Sequence, residues 1–291
     1  TLYEEVRAAL RETRFKPNKR LGQNFLIHER VIDAILGLLD LAADDEVVEI
    51  GPGLGFLTRR LLERAKVVWA VEIDSALVQR MRDSDFAANQ KLELIHGDIL
   101  EVDLPRLLPK RKVKLAGNLP YSISTPVLFR IFDWRESFSS LVLMVQKEVA
   151  DRIAAKPATK DYGTLSVWCQ LHGRVAGKVA VSPEAFFPRP EVRSTVFRFE
   201  FFAEPLVPAA EIPLFRVLVR AAFGQRRKTL ANALVSSLKL RREEIESFLR
   251  DQDIDPGRRG ETLGAEEFIK LARAARAQSL PIGEHQLATL P

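Results

Sequence analysis

Cysteine is almost absent from this chain. Its 291 residues include one, Cys169, which excludes an internal disulfide framework and is typical of a protein from a reducing compartment. Histidine is also scarce, and the four histidines are scattered without the spacing that metal ligands need: His28, His96, His172 and His285. The sequence therefore predicts no metal site.

Long apolar runs are missing as well. No run approaches the ~20 residues needed to span a bilayer, and the residues before Lys19 lack the apolar segment of a secretory signal. We expect a cytoplasmic protein without a membrane partner. Its N-terminal stretch, up to Lys19, reads as a helix-prone basic arm. No G-x-S-x-G elbow surrounds Ser122 or Ser124, which argues against a hydrolase.

Charge and length are less decisive. Lys and Arg number 44 against 39 Asp and Glu, giving a net charge of +5 and a pI near 9.4. This balance favours a polyanionic partner such as nucleic acid, although an ordinary solvated basic surface would look the same. A chain of 291 residues suits two domains better than one.

Short apolar runs alternate with helix-like segments over residues 30–201, which predicts a mainly parallel α/β sheet with ligands at the carboxyl ends of its strands. The predicted strands are 46–50, 67–72, 92–96, 113–117, 141–146, 177–181 and 194–201. The last run alternates most clearly, as expected of an antiparallel strand near an edge. Pro205 and Pro208 then mark a linker. We therefore predict an α/β domain at 1–203, a helical domain at 204–277 and a tail at 278–291.

A glycine loop follows the first strand, in the run EIGPGLG at residues 49–55. Gly51 and Gly53 would let the backbone pass close to a ligand at a helix start. The third glycine of the dinucleotide fingerprint is replaced by Phe56, which disfavours a nicotinamide or flavin cofactor.

Acidic residues end the next two strands. Glu72 lies roughly 20 residues past the glycines, where a carboxylate can accept from two ribose hydroxyls. Asp98 could accept from an adenine amino group, and it also fits the common role of a turn or helix-capping aspartate.

The run NLPY at residues 118–121 follows a fourth strand. The Asn118 oxygen and a backbone carbonyl could accept both N–H bonds of an amino group, Pro120 fixes the backbone, and Tyr121 offers a flat face to an unstacked base. Taken alone, these four letters also fit an ordinary loop.

Together and in this order, the glycine loop, Glu72, Asp98 and NLPY look like a class I S-adenosylmethionine-dependent methyltransferase. More narrowly, QNFL at 23–26, FFPRP at 186–190 and FGQRRKTL at 223–230 resemble the rRNA adenine N6,N6-dimethyltransferase family. The resemblance spans residues 19–275. It implies a Rossmann-like sheet of seven strands, mostly parallel with one reversed, and a small C-terminal all-α domain.

The same resemblance implies an activity. Methyl groups would pass from S-adenosylmethionine, leaving S-adenosylhomocysteine, to N6 of two adjacent adenosines in the 3'-terminal hairpin of small-subunit rRNA, and the partner would be the immature small subunit. A metal-free, monomeric enzyme is expected. The residues it implies for the cofactor are Asn24, Leu26, Gly51, Gly53, Glu72, Ile73, Asp98, Ile99 and Asn118.

The target base is expected to lie among Asn118, Leu119, Pro120 and Tyr121, with Phe187 opposite Tyr121. Phe187 could equally fill the core beside a proline turn. For RNA docking, the helical domain offers a basic run with a nearby arginine: Arg226, Arg227, Lys228 and Arg220. A solvated helix face is the alternative for this run.

Two other functions remain open from the sequence. One is a large-subunit rRNA adenine methyltransferase of the antibiotic-resistance type. The other is a non-catalytic ribosome-assembly or transcription factor on the same fold. The presence of Glu72, Asp98 and Asn118 argues against lost catalysis, and FGQRRKTLANAL at 223–234 with LGAEEF at 263–268 looks more like the small-subunit branch.

Overall fold

A computed structural model describes residues 1–12, 17 and 21–280. It divides into two compact units. The first contains Thr1–Ala150 and Arg174–Phe201, and the second contains Asp151–Gly173 and the chain from Phe202 onward. The structure thus places residues 151–173 with the helical unit, a long-range association that the predicted boundary at 203 does not include. Parts of the predicted arm (13–16 and 18–20) and tail (281–291) lie outside the described residues.

The first unit is built on a seven-stranded sheet. Its strands are β2 Glu46–Ile50, β3 Val67–Glu72, β4 Leu92–His96, β5 Val113–Asn118, β6 Phe138–Gln146, β7 Gly173–Val181 and β9 Ser194–Phe201. They lie in the order β4-β3-β2-β5-β6-β9-β7. The pairs β2/β3, β2/β5, β3/β4 and β5/β6 are parallel, and β9 runs antiparallel to β6.

A separate two-stranded sheet joins two distant motifs. Its strands are β1 Phe25–Leu26 and β8 Phe186–Phe187, which pair antiparallel with Phe25 opposite Phe187. The helices of the first unit are α1 Leu2–Glu12, α2 Glu29–Leu39, α3 Phe56–Leu62, α4 Ser75–Arg82, α5 Leu104–Leu107, α6 Ser124–Asp133 and the first part of α7 Lys147–Ile153.

The predicted fold class is confirmed: a mostly parallel seven-stranded sheet with one reversed strand. Four of the strands have the predicted limits, and β9 is second from the edge, as its alternating pattern indicated. Two strands begin earlier than predicted, β6 at Phe138 and β7 at Gly173. The early part of β7 contains glycines and charged residues, so its apolar period is too weak to detect from sequence.

The core of the sheet depends on close contact between its central strands. Every residue of β2 is buried, as expected for a parallel strand covered on both faces. At the carboxyl end of neighbouring β5, a side chain on Gly117 would place its Cβ 2.9 Å from the Ile50 carbonyl oxygen. Glycine is therefore needed where the tips of β2 and β5 meet.

The second unit is helical. Its helices are the end of α7, then α8 Thr164–His172, α9 Ile212–Phe223, α10 Leu230–Leu238, α11 Arg242–Arg250 and α12 Ala265–Ala277. α9 packs against α8, α10 and α12. The apolar stripes predicted along these segments are buried: Phe215, Leu218, Val219, Ala222, Leu230, Leu234, Leu238, Ile245, Phe248, Leu249, Phe268, Ile269 and Leu271. Among the helices that the structure describes, none is long and apolar enough to cross a membrane.

One acid is enclosed beneath the carboxyl edge of the sheet. Glu49 in β2 is 1% exposed, and its Oε2 has no hydrogen-bond partner in the described part of the chain. Burial, with the nearby charge of Glu72, raises the pKa of Glu49 to about 8. At neutral pH this carboxyl is therefore largely protonated.

The raised pKa predicts a pH-dependent cost to stability. Folded protein holds this proton more tightly than the unfolded chain does, so stability falls as pH rises from about 4.5 to about 8. Glu49→Gln lacks that loss. The free energy of unfolding of the variant minus that of the parent should therefore be about 2 to 3 kcal/mol larger at about pH 7.5 than at about pH 5.5. Denaturant unfolding at both pH values measures the difference, and equal pH dependence in the two proteins would refute the assignment.

Candidate active site

A pocket opens at the carboxyl ends of β2, β3, β4 and β5, where the sequence placed its polar residues. Most of the predicted site residues line it: Asn24, Gly51, Gly53, Glu72, Ile73, Asp98, Ile99, Asn118, Leu119, Pro120 and Tyr121. Leu26 and Phe187 lie outside this lining. The expected convergence of four strand tips is therefore present in the first unit.

The glycine loop forms one wall of the pocket. Gly51 and Gly53 have φ values of 69° and 59°, a region that side-chain-bearing residues rarely adopt. A Cβ on Gly53 would also lie 3.3 Å from the ring of Phe25, which lines the same pocket. The loop therefore presents backbone atoms, without side chains, to the pocket. Helix α3 begins directly after Gly55.

Glu72 lies at the tip of β3 and is 5% exposed. Its Oε2 accepts from the Gly53 N–H at 3.1 Å, and its Oε1 accepts from the Asp74 N–H at 2.9 Å. Burial raises the pKa of Glu72, and these two donors oppose that effect. Each carboxyl oxygen still has a lone pair for a ligand hydroxyl. Glu72 is therefore fixed in place and remains able to bind a ribose.

Asp98 occupies a turn at the edge of the pocket. Its Oδ1 accepts from the Leu100 N–H at 2.9 Å, which is a turn role, while the residue also lines the pocket. Its neighbour Ile99 is buried, whereas Ile73 is 45% exposed within the lining. Two apolar side chains with an acid beside them suit a flat ring that carries an amino group.

Asn118 is the last residue of β5, and the nitrogen of its side-chain amide has a hydrogen-bond partner. Its Nδ2 donates to the Asn24 carbonyl oxygen at 3.1 Å. The opposite atom, Oδ1, is an acceptor and has no partner within the described residues. Pro120 presents a carbonyl that accepts from the Ser124 hydroxyl at 3.0 Å and from the Ile123 N–H at 3.2 Å. The loop is therefore held by contacts on several sides.

The two aromatic residues expected around the target base are positioned differently. Tyr121 lines the pocket, and its hydroxyl lies 2.8 Å from the Ser194 hydroxyl, which fixes the ring. Burial raises the pKa of Tyr121, so the phenol stays neutral. Phe187 is held by the β1/β8 pairing and contacts the ring of Tyr3, with centroids 5.8 Å apart. A sandwich between Tyr121 and Phe187 stays a prediction.

The segment that covers the pocket was predicted only in part, through Asn24 and Leu26. Leu21, Gly22, Gln23 and Phe25 line it together with Asn24. The Gln23 side chain donates to Asp74 Oδ2 at 2.7 Å, which ties this segment to the turn after Glu72. Composition and periodicity carry no signal for these residues. The family motif QNFL pointed to residues 23–26, and Leu21 and Gly22 were missed.

The predicted RNA-binding residues of the second unit separate into two groups. Arg226 is engaged within the unit, because its guanidinium donates to the Lys160 carbonyl at 3.1 Å and pairs with Glu261 at 3.4 Å. Arg227 and Lys228 are exposed, and neither forms an ion pair within the part of the chain that the structure describes. Arg220 is also exposed, on the last turn of α9.

No cluster of three or more potential metal ligands occurs among the described residues. Cys169 is buried in α8, and burial raises its pKa far above the usual range, so it is an inert core thiol. The pocket in the first unit therefore carries the chemistry that the structure offers.

Comparison with known proteins agrees with this geometry. The family described as ribosomal RNA adenine dimethylase matches residues 14–275. A relative from Geobacter metallireducens, ribosomal RNA small subunit methyltransferase A, is 47% identical over 266 residues, covering 90% of this chain and 96% of the relative.

Two solved structures are similar over most of their length. A dimethyladenosine transferase from Plasmodium falciparum has a TM-score of 0.76 at 25% identity, covering 88% of this chain and 98% of that one. The 23S rRNA methyltransferase ErmE has a TM-score of 0.64 at 25% identity, covering 86% and 99%. The family model matches most of the chain, and a relative at 47% identity covers 90% of it; the chain belongs to the ribosomal RNA adenine dimethylase family of methyltransferases.

Proposed function

We propose that this enzyme transfers methyl groups from S-adenosylmethionine to N6 of two adjacent adenosines in the 3'-terminal hairpin of small-subunit rRNA, giving N6,N6-dimethyladenosine. The observation that carries the proposal is that Glu72 and Asn118 line one pocket with a bare glycine loop, in a chain of the dimethylase family. Its partner is the immature small ribosomal subunit, which the enzyme binds as a monomer in the cytoplasm.

The pocket fits S-adenosylmethionine. Glu72 would accept from the ribose hydroxyls, and Asp98 from the adenine amino group between Ile73 and Ile99. Gly51 and Gly53 leave room for the ligand to approach the backbone. Asn24 and Leu26 would complete the cover. When bound, the cofactor supplies an activated methyl group on a sulfonium, so no metal or covalent enzyme intermediate is needed.

The orientation of Asn118 gives the chain its main catalytic contribution. Because Nδ2 donates to the Asn24 carbonyl, Oδ1 is held as the acceptor. It can take one N–H of the target amine. The Pro120 carbonyl already accepts two hydrogen bonds, so the Leu119 carbonyl is the better acceptor for the other N–H.

Two acceptors placed in this way favour a pyramidal amine, whose lone pair is no longer delocalised into the base. The target nitrogen, held by Asn118 Oδ1 and the Leu119 carbonyl, could then accept the methyl group that bound S-adenosylmethionine would supply. The nitrogen proton is lost to water. Alignment and preorganised hydrogen bonds supply the rate enhancement. Tyr121 and Phe187 would stack on the extruded adenine, which offsets the cost of removing it from the RNA stack.

The degree of similarity favours the small subunit over the large one as substrate. The relative named for the small subunit is 47% identical to this chain, while the 23S rRNA methyltransferase is 25% identical. The intact pocket also disfavours a purely structural assembly factor, because a protein that only binds RNA does not need Glu72 and Asn118 placed around a ligand-sized space.

The substrate is tested by incubating the protein with methyl-labelled S-adenosylmethionine and purified small or large ribosomal subunits that lack these marks. Mapping the labelled nucleotides should find two adjacent dimethyladenosines in the small-subunit RNA. Label confined to the large subunit would replace the proposal with the antibiotic-resistance activity, and no label in either would favour a binding role.

Glu72→Gln should weaken cofactor binding. The change removes the charge that strengthens hydrogen bonds to the ribose, so affinity should fall by about 2 to 3 kcal/mol, roughly 30- to 150-fold. Calorimetric titration with S-adenosylhomocysteine measures this. Glu93→Ala, at an exposed position of β4, is the matched control and should bind normally. Unchanged affinity in Glu72→Gln would remove the residue from the ribose site.

Asn118→Ala should reduce the chemical step. Losing the oriented acceptor should lower single-turnover methylation by on the order of 100-fold at saturating cofactor and subunit, with subunit binding preserved. Asn118→Asp retains an acceptor oxygen and should therefore lose less than Asn118→Ala. If Asn118→Ala reacts at the parental rate, its oxygen does not hold the amine.

Replacing Arg227 and Lys228 together by alanine should weaken subunit binding and flatten its salt dependence. Each lost phosphate contact removes roughly 0.7 to 0.9 from the slope of log affinity against log salt, so the double change should remove about 1.5. Arg241→Ala is the control, because this arginine is already paired with Glu244 at 2.6 Å. A slope equal to the parent's would return both residues to an ordinary solvated surface.

A further inference from the structure

The N-terminal helix α1 carries features that the proposed reaction does not use. Its inner side is anchored in the first unit, because Val6 is fully buried and Ala9 is 3% exposed within the core cluster. Glu5 pairs with Arg59 of α3 at 3.3 Å. The helix is therefore attached by its own contacts, without needing its outer residues.

The outer residues Tyr3 and Arg7 lie four positions apart and share one side of α1. Tyr3 is 40% exposed, which makes it one of the few large apolar side chains left at the surface. The Arg7 guanidinium lies 5.8 Å from the centroid of the Tyr3 ring. Arg7 is exposed, and no carboxylate pairs with it among the residues described.

This pair adjoins the residue expected at the target base. The rings of Tyr3 and Phe187 meet edge to face, with centroids 5.8 Å apart and an interplanar angle of 73°. Phe187 is also packed against the core, so the contact sets the position of Tyr3. A nucleotide next to an adenine held at Phe187 would therefore pass close to Tyr3.

We propose that Tyr3 and Arg7 form a binding site for the nucleobase that flanks the target adenine in the RNA strand. The inference rests on the proposed function, since it takes Phe187 to contact the target base. An exposed aromatic ring beside an arginine is the combination with which proteins stack unpaired bases without reading their sequence. The flanking base, unstacked when the adenine leaves the strand, regains a stacking partner there.

The local charges favour stacking of a base over binding of a phosphate group. Glu4 is adjacent to Tyr3 in sequence and its side chain is 77% exposed, so it opposes a close phosphate. Tyr3 should consequently contribute affinity that does not depend on salt, unlike Arg227 and Lys228 in the second unit.

The test measures methylation of unmethylated small ribosomal subunits by full-length protein at a series of subunit and salt concentrations. Tyr3→Ala should raise the KM for the subunit roughly 10-fold at every salt concentration, with kcat nearly unchanged. Tyr3→Phe keeps the ring and should restore the KM to within about twofold. Leu107→Ala, which removes another exposed apolar side chain of the first unit, is the matched control and should match the parent.

Thermal unfolding and titration with S-adenosylhomocysteine show whether Tyr3→Ala is folded. If Tyr3→Ala methylates with the parental KM, or if its loss appears only in kcat, the flanking-base site is refuted and Tyr3 merely supports Phe187. A lower KM would also refute it, because Tyr3 would then be covering the target site. An inactive parent protein would instead overturn the proposed function, and this inference with it.

Discussion

The close approach of β2 and β5 is the constraint on which the site depends. Gly117 permits the two strands to meet without a side chain between them, and a Cβ on Gly51 would then lie 3.8 Å from the Asn118 carbonyl oxygen. The glycine loop and the loop that begins at Asn118 are consequently neighbours at one sheet edge. Since the parallel order β4-β3-β2-β5 directs all four carboxyl ends to that edge, Asp98, Glu72, Gly51 and Asn118 surround a single pocket.

A covering segment connects the two halves of this pocket. Gln23 is hydrogen-bonded to Asp74, whose backbone N–H donates to Glu72, and the Asn24 carbonyl accepts from Asn118. The same short segment thus contacts both the turn beside Glu72 and the side chain of Asn118. Its continuation, β1, pairs with the strand that carries Phe187. Hydrogen bonds of this segment therefore connect the Glu72 end of the pocket with its Asn118 end.

Sequence patterns predicted the sheet and much of the pocket, because buried parallel strands have strong apolar runs and their polar tips follow at once. Glu72 and Asn118 could be placed in this way. The covering segment could not, since Gly22 and Gln23 act through tertiary contacts that leave no period. The inclusion of residues 151–173 in the helical unit was equally hidden, as it rests on contacts distant in sequence. Composition likewise cannot show whether an arginine such as Arg226 is paired within the protein, as it is with Glu261, or is available to RNA.

We infer that one pocket at the carboxyl edge binds the methyl donor and directs its methyl group toward Asn118. A crystal structure of the protein with S-adenosylhomocysteine tests this most directly. We expect both ribose hydroxyls within hydrogen-bond distance of Glu72, the adenine amino group at Asp98, and the sulfur facing the loop from Asn118 to Tyr121. Ribose density away from Glu72, or a sulfur directed away from Asn118, would rule out this arrangement of the methyl donor.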